Sequence, residues 1–143
     1  MRRLRGVAVP SLIVAFLLLG CDSEPETWAE LDHEERVTYM SEVVTPAMRD
    51  IFQAHDPDRY AGFSCQTCHG ENASEVDYAM PNGLTPLPME GTLEAAEAID
   101  AAETAFMLDE VFPKMVELLD YEKYNEVSAP DGFRCVGCHR VAE

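Results

Sequence analysis

The chain has 143 residues, with 27 acidic against 10 basic side chains and a formal net charge of −17 at pH 7. Its length suits a single small domain, and so acidic a chain argues against nucleic acid or anionic lipid as a binding partner. Five cysteines are present, and this odd number makes their positions informative.

The N-terminal segment has the pattern of an export signal. Three arginines precede an apolar run from residue 7 to residue 19, which is too short to span a bilayer. The run ends in Leu-Leu-Gly-Cys21, which resembles a bacterial lipobox, whose cysteine is lipidated and becomes the first residue of the mature protein. We expect a lipoprotein signal peptide at 1–20 and a lipid anchor on Cys21, in a membrane facing the periplasm or cell exterior. An ordinary signal peptide with Cys21 near its end by chance is the alternative.

The mature chain, 21–143, is predicted to be mainly α-helical. A capping box of Thr27 and Glu30 predicts a first helix running up to Thr45, and Thr45 with Pro46 predicts the start of a second one. Breaker residues make 81–91 irregular, and further helices are expected at 93–109 and 113–124. No stretch has the alternation of a strand.

Two copies of one motif carry the chemistry. Cys65-Gln-Thr-Cys68-His69 and Cys135-Val-Gly-Cys138-His139 both have the C-x-x-C-H pattern of covalent haem c attachment. Two thiols at this spacing reach the two vinyl groups of one porphyrin, and the adjacent histidine reaches its iron. A phenylalanine precedes each motif at the same place and is expected to pack on haem or as ordinary core. The sequence therefore predicts two haem c groups.

Other uses of the four cysteines fit the sequence less well. Zinc is disfavoured because 70 residues separate Cys65 from Cys135 and each pair is only half a zinc site. A thioredoxin-like dithiol is disfavoured because no βαβ pattern surrounds either pair.

A longer repeat surrounds the two motifs. Residues 44–52 align with 111–119, with proline at a helix start and Met48 or Met115 two residues later. This order of helix, methionine, turn and C-x-x-C-H resembles the haem-binding segments of the multihaem cytochrome subunit of photosynthetic reaction centres. The resemblance covers two units, about 44–70 and 111–140, against four in that family, so a photosynthetic role does not carry over. It implies a small all-helical dihaem cytochrome c with long loops, in which Met48 and Met115 are the second iron ligands.

Other ligands compete with Met48 for the first iron. His55 lies seven residues later on the same helical face, although the repeat has Glu122 at the equivalent position. Met80 and Met89 resemble the loop methionine that follows the haem motif in single-haem cytochromes. Met48 itself has an alternative role, since methionines at helical spacing are usually core residues.

These features predict an electron carrier. Loss of the signal peptide removes three arginines and takes the net charge from −17 to −20, which suits docking to basic patches on redox partners, although the charge could serve solubility alone. Two alternatives stay open: a fixed haem subunit of a larger respiratory complex, and a haem enzyme or gas sensor with one open iron. No distal acid–base group is evident near either motif, so we expect no enzymatic activity.

Overall fold

The computed structural model describes residues 27–142, and it confirms the predicted mainly α-helical fold. No strand forms within these residues, which are joined outside the helices by turns and three isolated bridges. The predicted signal peptide and Cys21 lie outside the described residues. None of the helices between residues 27 and 142 is long and apolar enough to cross a membrane.

The first long helix begins later than predicted. Thr27 and Glu30 do make their capping contact, with the Thr27 N–H donating to Glu30 Oε2 at 2.9 Å, but they close only a turn. Helix α1, His33–Tyr39, starts instead at a second capping box, in which the Glu35 N–H donates to Asp32 Oδ1 at 3.0 Å. The prediction failed because two capping boxes lie five residues apart and either can start a helix.

The second helix begins at Thr45 as predicted, but Thr45 lies inside a continuous helix and does not cap a new one. Helix α1 runs through a π-helical turn, Met40–Val44, directly into helix α2, Thr45–His55. Pro46 has no N–H and its ring would collide with the carbonyl four residues earlier. The helix avoids this collision because it widens locally into a π turn, in which the Thr45 N–H donates to the carbonyl of Met40, five residues earlier. A π turn thus lets the proline sit inside a continuous helix.

The second long helix repeats this construction. Helix α4, Thr92–Phe106, continues through a π turn, Met107–Val111, into helix α5, Phe112–Leu118. The predicted break before Pro113 is therefore absent, and the helix ends at Leu118 rather than near Tyr124. Asp100 kinks α4 (φ −157°, ψ 100°) and its Oδ1 accepts from the Glu103 N–H at 3.0 Å, as Asp32 caps α1. Both long helices therefore have the same order of features: a capping aspartate (Asp32 or Asp100), then a π turn, then the methionine (Met48 or Met115).

The two long helices share one apolar core, since α2 contacts the second π turn. Burial of such side chains contributes about 1.5–3 kcal/mol each. The core is thin, because no side chain in the described residues is less than 2% exposed. Its buried members are Val44, Met48, Phe52, Phe63, Phe106 and Leu119.

Candidate functional site

Each cysteine motif folds as a tight turn. The first forms helix α3, Cys65–His69, entered through Ser64, whose N–H donates to the Thr67 hydroxyl at 3.1 Å. The second forms a 3-10 turn, Cys135–Gly137, and the His139 N–H donates to the Cys135 carbonyl at 2.9 Å. All four thiols are free and half-buried, so each motif presents two reduced sulfurs followed by an imidazole.

The two motifs lie close together in the fold. Asn82 and Thr85, three residues apart, hydrogen-bond to His69 and His139 respectively, so motifs separated by 70 residues of sequence are neighbours in space. Burial, followed by the neighbouring thiols of Cys138 and Cys65, raises the pKa of Cys68 to about 12. Burial also raises the pKa of Cys138 to about 11, with Cys135 adding to the shift. Both thiols are protonated at pH 7.

His139 is held in one orientation. Its Nδ1 lies 2.9 Å from the backbone carbonyl oxygen of Thr85. A carbonyl can only accept, so Nδ1 carries the proton and Nε2 keeps its lone pair. This is the arrangement that a histidine ligand of a metal normally has.

His69 has a different environment. Its Nδ1 is buried, and no group in residues 27–142 forms a hydrogen bond with it. Burial lowers the pKa of His69, opposed in part by the nearby backbone of Tyr78, whose ring meets the imidazole edge-on at 5.9 Å between centroids. Because its pKa is below the usual 6.5, His69 is neutral at pH 7 and can supply a lone pair.

A strap of residues 82–87 connects the two motifs. At one end, Asn82 Nδ2 donates to the carbonyl of His69 at 2.7 Å. At the other end, Leu87 is buried and exchanges two backbone hydrogen bonds with the C-terminal segment, to Arg140 and from Ala142, both at 2.9 Å. The sequence predicted only an irregular segment here, so it missed Asn82 and Thr85. The prolines and glycines around them predict irregular structure, and nothing local in the sequence distinguishes these two residues.

Both candidate methionines belong to the shared core or pack against it. Met48 is 2% exposed in the shared core, and Met115 and Cys68 pack against that core as partly buried neighbours. The Oγ1 of Thr45, one turn before Met48, lies 3.9 Å from Cys65 Sγ. Helix α2 therefore runs beside the first motif, with Met48 buried on its core-facing side.

The rival ligands lie in other surroundings. His55 stacks on Phe106, with ring centroids 3.9 Å apart and planes 7° from parallel, and its Nε2 is 3.6 Å from Glu103. Met89 is 49% exposed and Met80 is half-buried. His55 is thus engaged with helix α4, whereas Met48 is buried in the core against which Cys68 packs.

The paired phenylalanines have separate roles. Phe63 belongs to the helical core, 4.9 Å from Phe52 between ring centroids. Phe133 is stacked between two other rings, those of Phe112 and Tyr121, and lies against the second motif. A β-carbon at position 137 would lie 2.6 Å from Phe133 Cε2, so the glycine of this motif makes room for that ring.

A polar cluster beside the core was not predicted from the sequence. The Tyr60 hydroxyl donates to Glu103 Oε1 at 2.5 Å, and Arg59 Nη1 donates to Oε2 at 2.8 Å. Burial, followed by the hydrogen bond to Glu103, raises the pKa of Tyr60 above its usual range. Tyr60 packs edge-on against Phe52, with ring centroids 4.8 Å apart, so the cluster borders the core.

No group of three or more His, Cys, Asp or Glu side chains in the described part of the chain could hold a bare metal ion. A haem iron needs no such group, because it takes one ligand from each of two elements. Comparison with protein-family models, curated proteins and solved structures finds no match to this chain.

Proposed function

We propose that this chain is a membrane-anchored, extracytoplasmic dihaem c-type cytochrome that carries electrons between redox partners. The observation that supports it most is the pairing of the two motifs: neighbouring C-x-x-C-H turns with four free thiols, the second of which has its histidine oriented by Thr85. Duplication of the whole unit, including its π turn, argues that both motifs serve the same purpose.

The residues present fit two haem c groups. Cys65 and Cys68 would hold the first covalently, and Cys135 and Cys138 the second. The Nδ1 of His139 has the hydrogen bond that a neutral imidazole ligand normally makes, whereas the Nδ1 of His69 is buried without one; both rings could still offer Nε2 to an iron. When bound, haem supplies one-electron chemistry at iron. The thin protein core would gain apolar contacts from two such groups.

Methionine ligands suit a carrier. Met48 and Met115 are proposed as the second ligands, and a thioether favours ferrous iron and so raises the reduction potential. With both coordination positions filled by protein, no position is open to a substrate. The buried position of Met48 beside Cys68 supports this more strongly than the half-buried position of Met115.

The surface charge suits brief contacts with basic partners. Most of the basic side chains in the described residues are already engaged: Arg59 with Glu103, Lys114 with Glu117, and three others over aromatic rings. The acidic excess is left to face solvent. Electrostatic steering would speed encounter with a basic partner and weaken as salt is added, while a lipid on Cys21 would confine the protein to the membrane plane.

The test is to produce the full chain with haem-attachment machinery and count covalent haem by pyridine haemochrome. The oxidised protein should show the weak far-red charge-transfer band of methionine on ferric iron. Met48→Ala and Met115→Ala should each remove half of it, and Met89→Ala, at an exposed position, should leave it intact. Absence of covalent haem would refute the proposal. Haem without the band, together with carbon monoxide binding after reduction, would favour an enzyme or sensor.

A further inference from the structure

We propose that the two haem sites are inequivalent, and that the carbonyl of Thr85 makes the second site, at His139, the one with the lower reduction potential. This inference rests on the proposed function. It assigns an electron-donating role to a backbone group of the strap, far in sequence from either motif.

The two histidines differ in their second hydrogen bond. His139 Nδ1–H donates to the Thr85 carbonyl at 2.9 Å, whereas the His69 ring has only the backbone of Tyr78 nearby and its Nδ1 makes no hydrogen bond of ordinary geometry within residues 27–142. Such a bond makes the imidazole more basic and a stronger donor through its other nitrogen. A stronger donor stabilises the more positive ferric ion, so His139 favours oxidation and His69 favours reduction.

Burial acts in the same direction. The first site borders the core through Met48, which is 2% exposed, whereas Met115 is only partly buried. A less solvated site disfavours the additional positive charge of the ferric state. The first site is therefore expected to hold an electron more tightly on this ground as well.

Local charges oppose this order. Arg134 and Arg140 flank the second motif and would raise its potential, while Glu71 follows the first motif and would lower the potential there. All three side chains are exposed, where water and salt screen them. Arg134 is moreover stacked over Tyr124, with its guanidinium carbon 4.8 Å from the ring centroid. We expect the direct hydrogen bond and burial to outweigh these screened charges.

The strap fixes the carbonyl in place. Thr85 is followed by Pro86, which restricts the backbone of the preceding residue to extended conformations. Leu87, one residue further on, is buried and paired with the C-terminal segment that follows His139. Thr85 and His139 are thus held together by elements on both sides of the hydrogen bond.

The test is a redox titration of the full, haem-loaded chain, in which two midpoints are expected. Replacing a methionine ligand with histidine lowers the potential of its own site, so Met48→His should lower the higher midpoint and Met115→His the lower one. Pro86→Ala, which frees the Thr85 backbone, should raise the lower midpoint. Pro57→Ala, in the exposed turn after helix α2 and away from the strap, is the control and should leave both midpoints unchanged.

A second readout does not depend on a variant. In the ferrous, diamagnetic protein, the Nδ1 proton of His139 should resonate further downfield than that of His69, because only the former is hydrogen-bonded. Three results would overturn this inference while leaving a dihaem carrier in place. The two midpoints could coincide, Met48→His could shift the lower midpoint instead of the higher one, or the two Nδ1 protons could have equal chemical shifts. A chain without covalent haem would instead overturn the proposed function itself.

Discussion

Gly83 packs on Gly70 so closely that a β-carbon at position 83 would lie 2.6 Å from the α-carbon of Gly70. This contact seats the strap on the end of helix α3, directly after His69. Asn82 reinforces it by donating to the His69 carbonyl at 2.7 Å and to Asn72 Oδ1 at 3.0 Å. The strap is therefore held by a close backbone contact between Gly70 and Gly83, and any side chain at position 83 would disrupt that contact.

Gly83→Ala is expected to be strongly destabilising. Its φ of +69° alone costs an L-residue roughly 1–2 kcal/mol, and the backbone collision adds to this. Gly91→Ala is the matched control, since φ is +65° there and its β-carbon would meet only the Glu94 side chain at 3.8 Å. Gly62→Ala should be close to neutral because nothing lies within 4 Å. Thermal melts of the three variants should rank them in that order, and equal melting temperatures for Gly83→Ala and Gly91→Ala would contradict the proposed packing.

Gly137→Ala should disturb the second motif without touching its cysteines or histidine. The new methyl group would press on Phe133, held between Phe112 and Tyr121, at a cost of about 1–3 kcal/mol. We expect a lower melting temperature and an altered Soret band of one haem only. The double variant Gly137→Ala with Phe133→Leu should recover part of the loss. If the smaller side chain gives no recovery, the ring is not the obstacle.

The sequence was sufficient to predict the helical class, and the doubled C-x-x-C-H motif is directly visible in it because both copies have the same spacing. It was insufficient for helix boundaries. Thr27 and Asp32 both carry capping boxes, and only packing decides between them. Pro46 and Pro113 looked like helix starts, since a π turn that absorbs a proline leaves no local signature in the sequence.

The strap could not be predicted for another reason. Its hydrogen bonds from Asn82 and to Thr85 join residues 13 and 54 positions apart, and the Thr85 contact uses a backbone carbonyl that every residue possesses. The cluster of Tyr60 and Glu103 likewise joins a loop to a distant helix, 43 positions away. Contacts of this kind come from tertiary packing and have no periodic pattern.

Tyr60 should make stability depend on pH in the alkaline range. Its pKa in the folded protein is raised above the unfolded value of about 10, chiefly by burial and then by Glu103. The neutral phenol is thus favoured by folding, so its contribution is complete below pH 10 and is lost as the pH rises towards the folded pKa. In urea unfolding, the stability gap between the native chain and Tyr60→Phe should be constant from pH 7 to 9 and shrink above 10. A gap independent of pH would refute the role of Tyr60.

Covalent haem should be needed for the first unit to fold. The described residues contain only eight buried hydrophobic side chains, a small core for a domain of this size. Cys68 packs directly against the cluster that contains Met48, so a porphyrin attached there would extend that core, and a cofactor that binds only the folded state adds its binding energy to stability. Replacing Cys65 and Cys68 with alanine is therefore expected to lower helicity by circular dichroism and to broaden or abolish the thermal transition.

A single replacement, Cys65→Ala, supplies the comparison, because one remaining thioether and His69 could still retain the haem. It should keep most of the helical signal that the double variant loses. Since two alanines are small and have a high helix propensity, the loss cannot be assigned to the substitutions themselves. A double variant with full helicity and a native melting temperature would mean that the helices are stable without the first cofactor, and that the shared core of α2 and α5 is sufficient by itself.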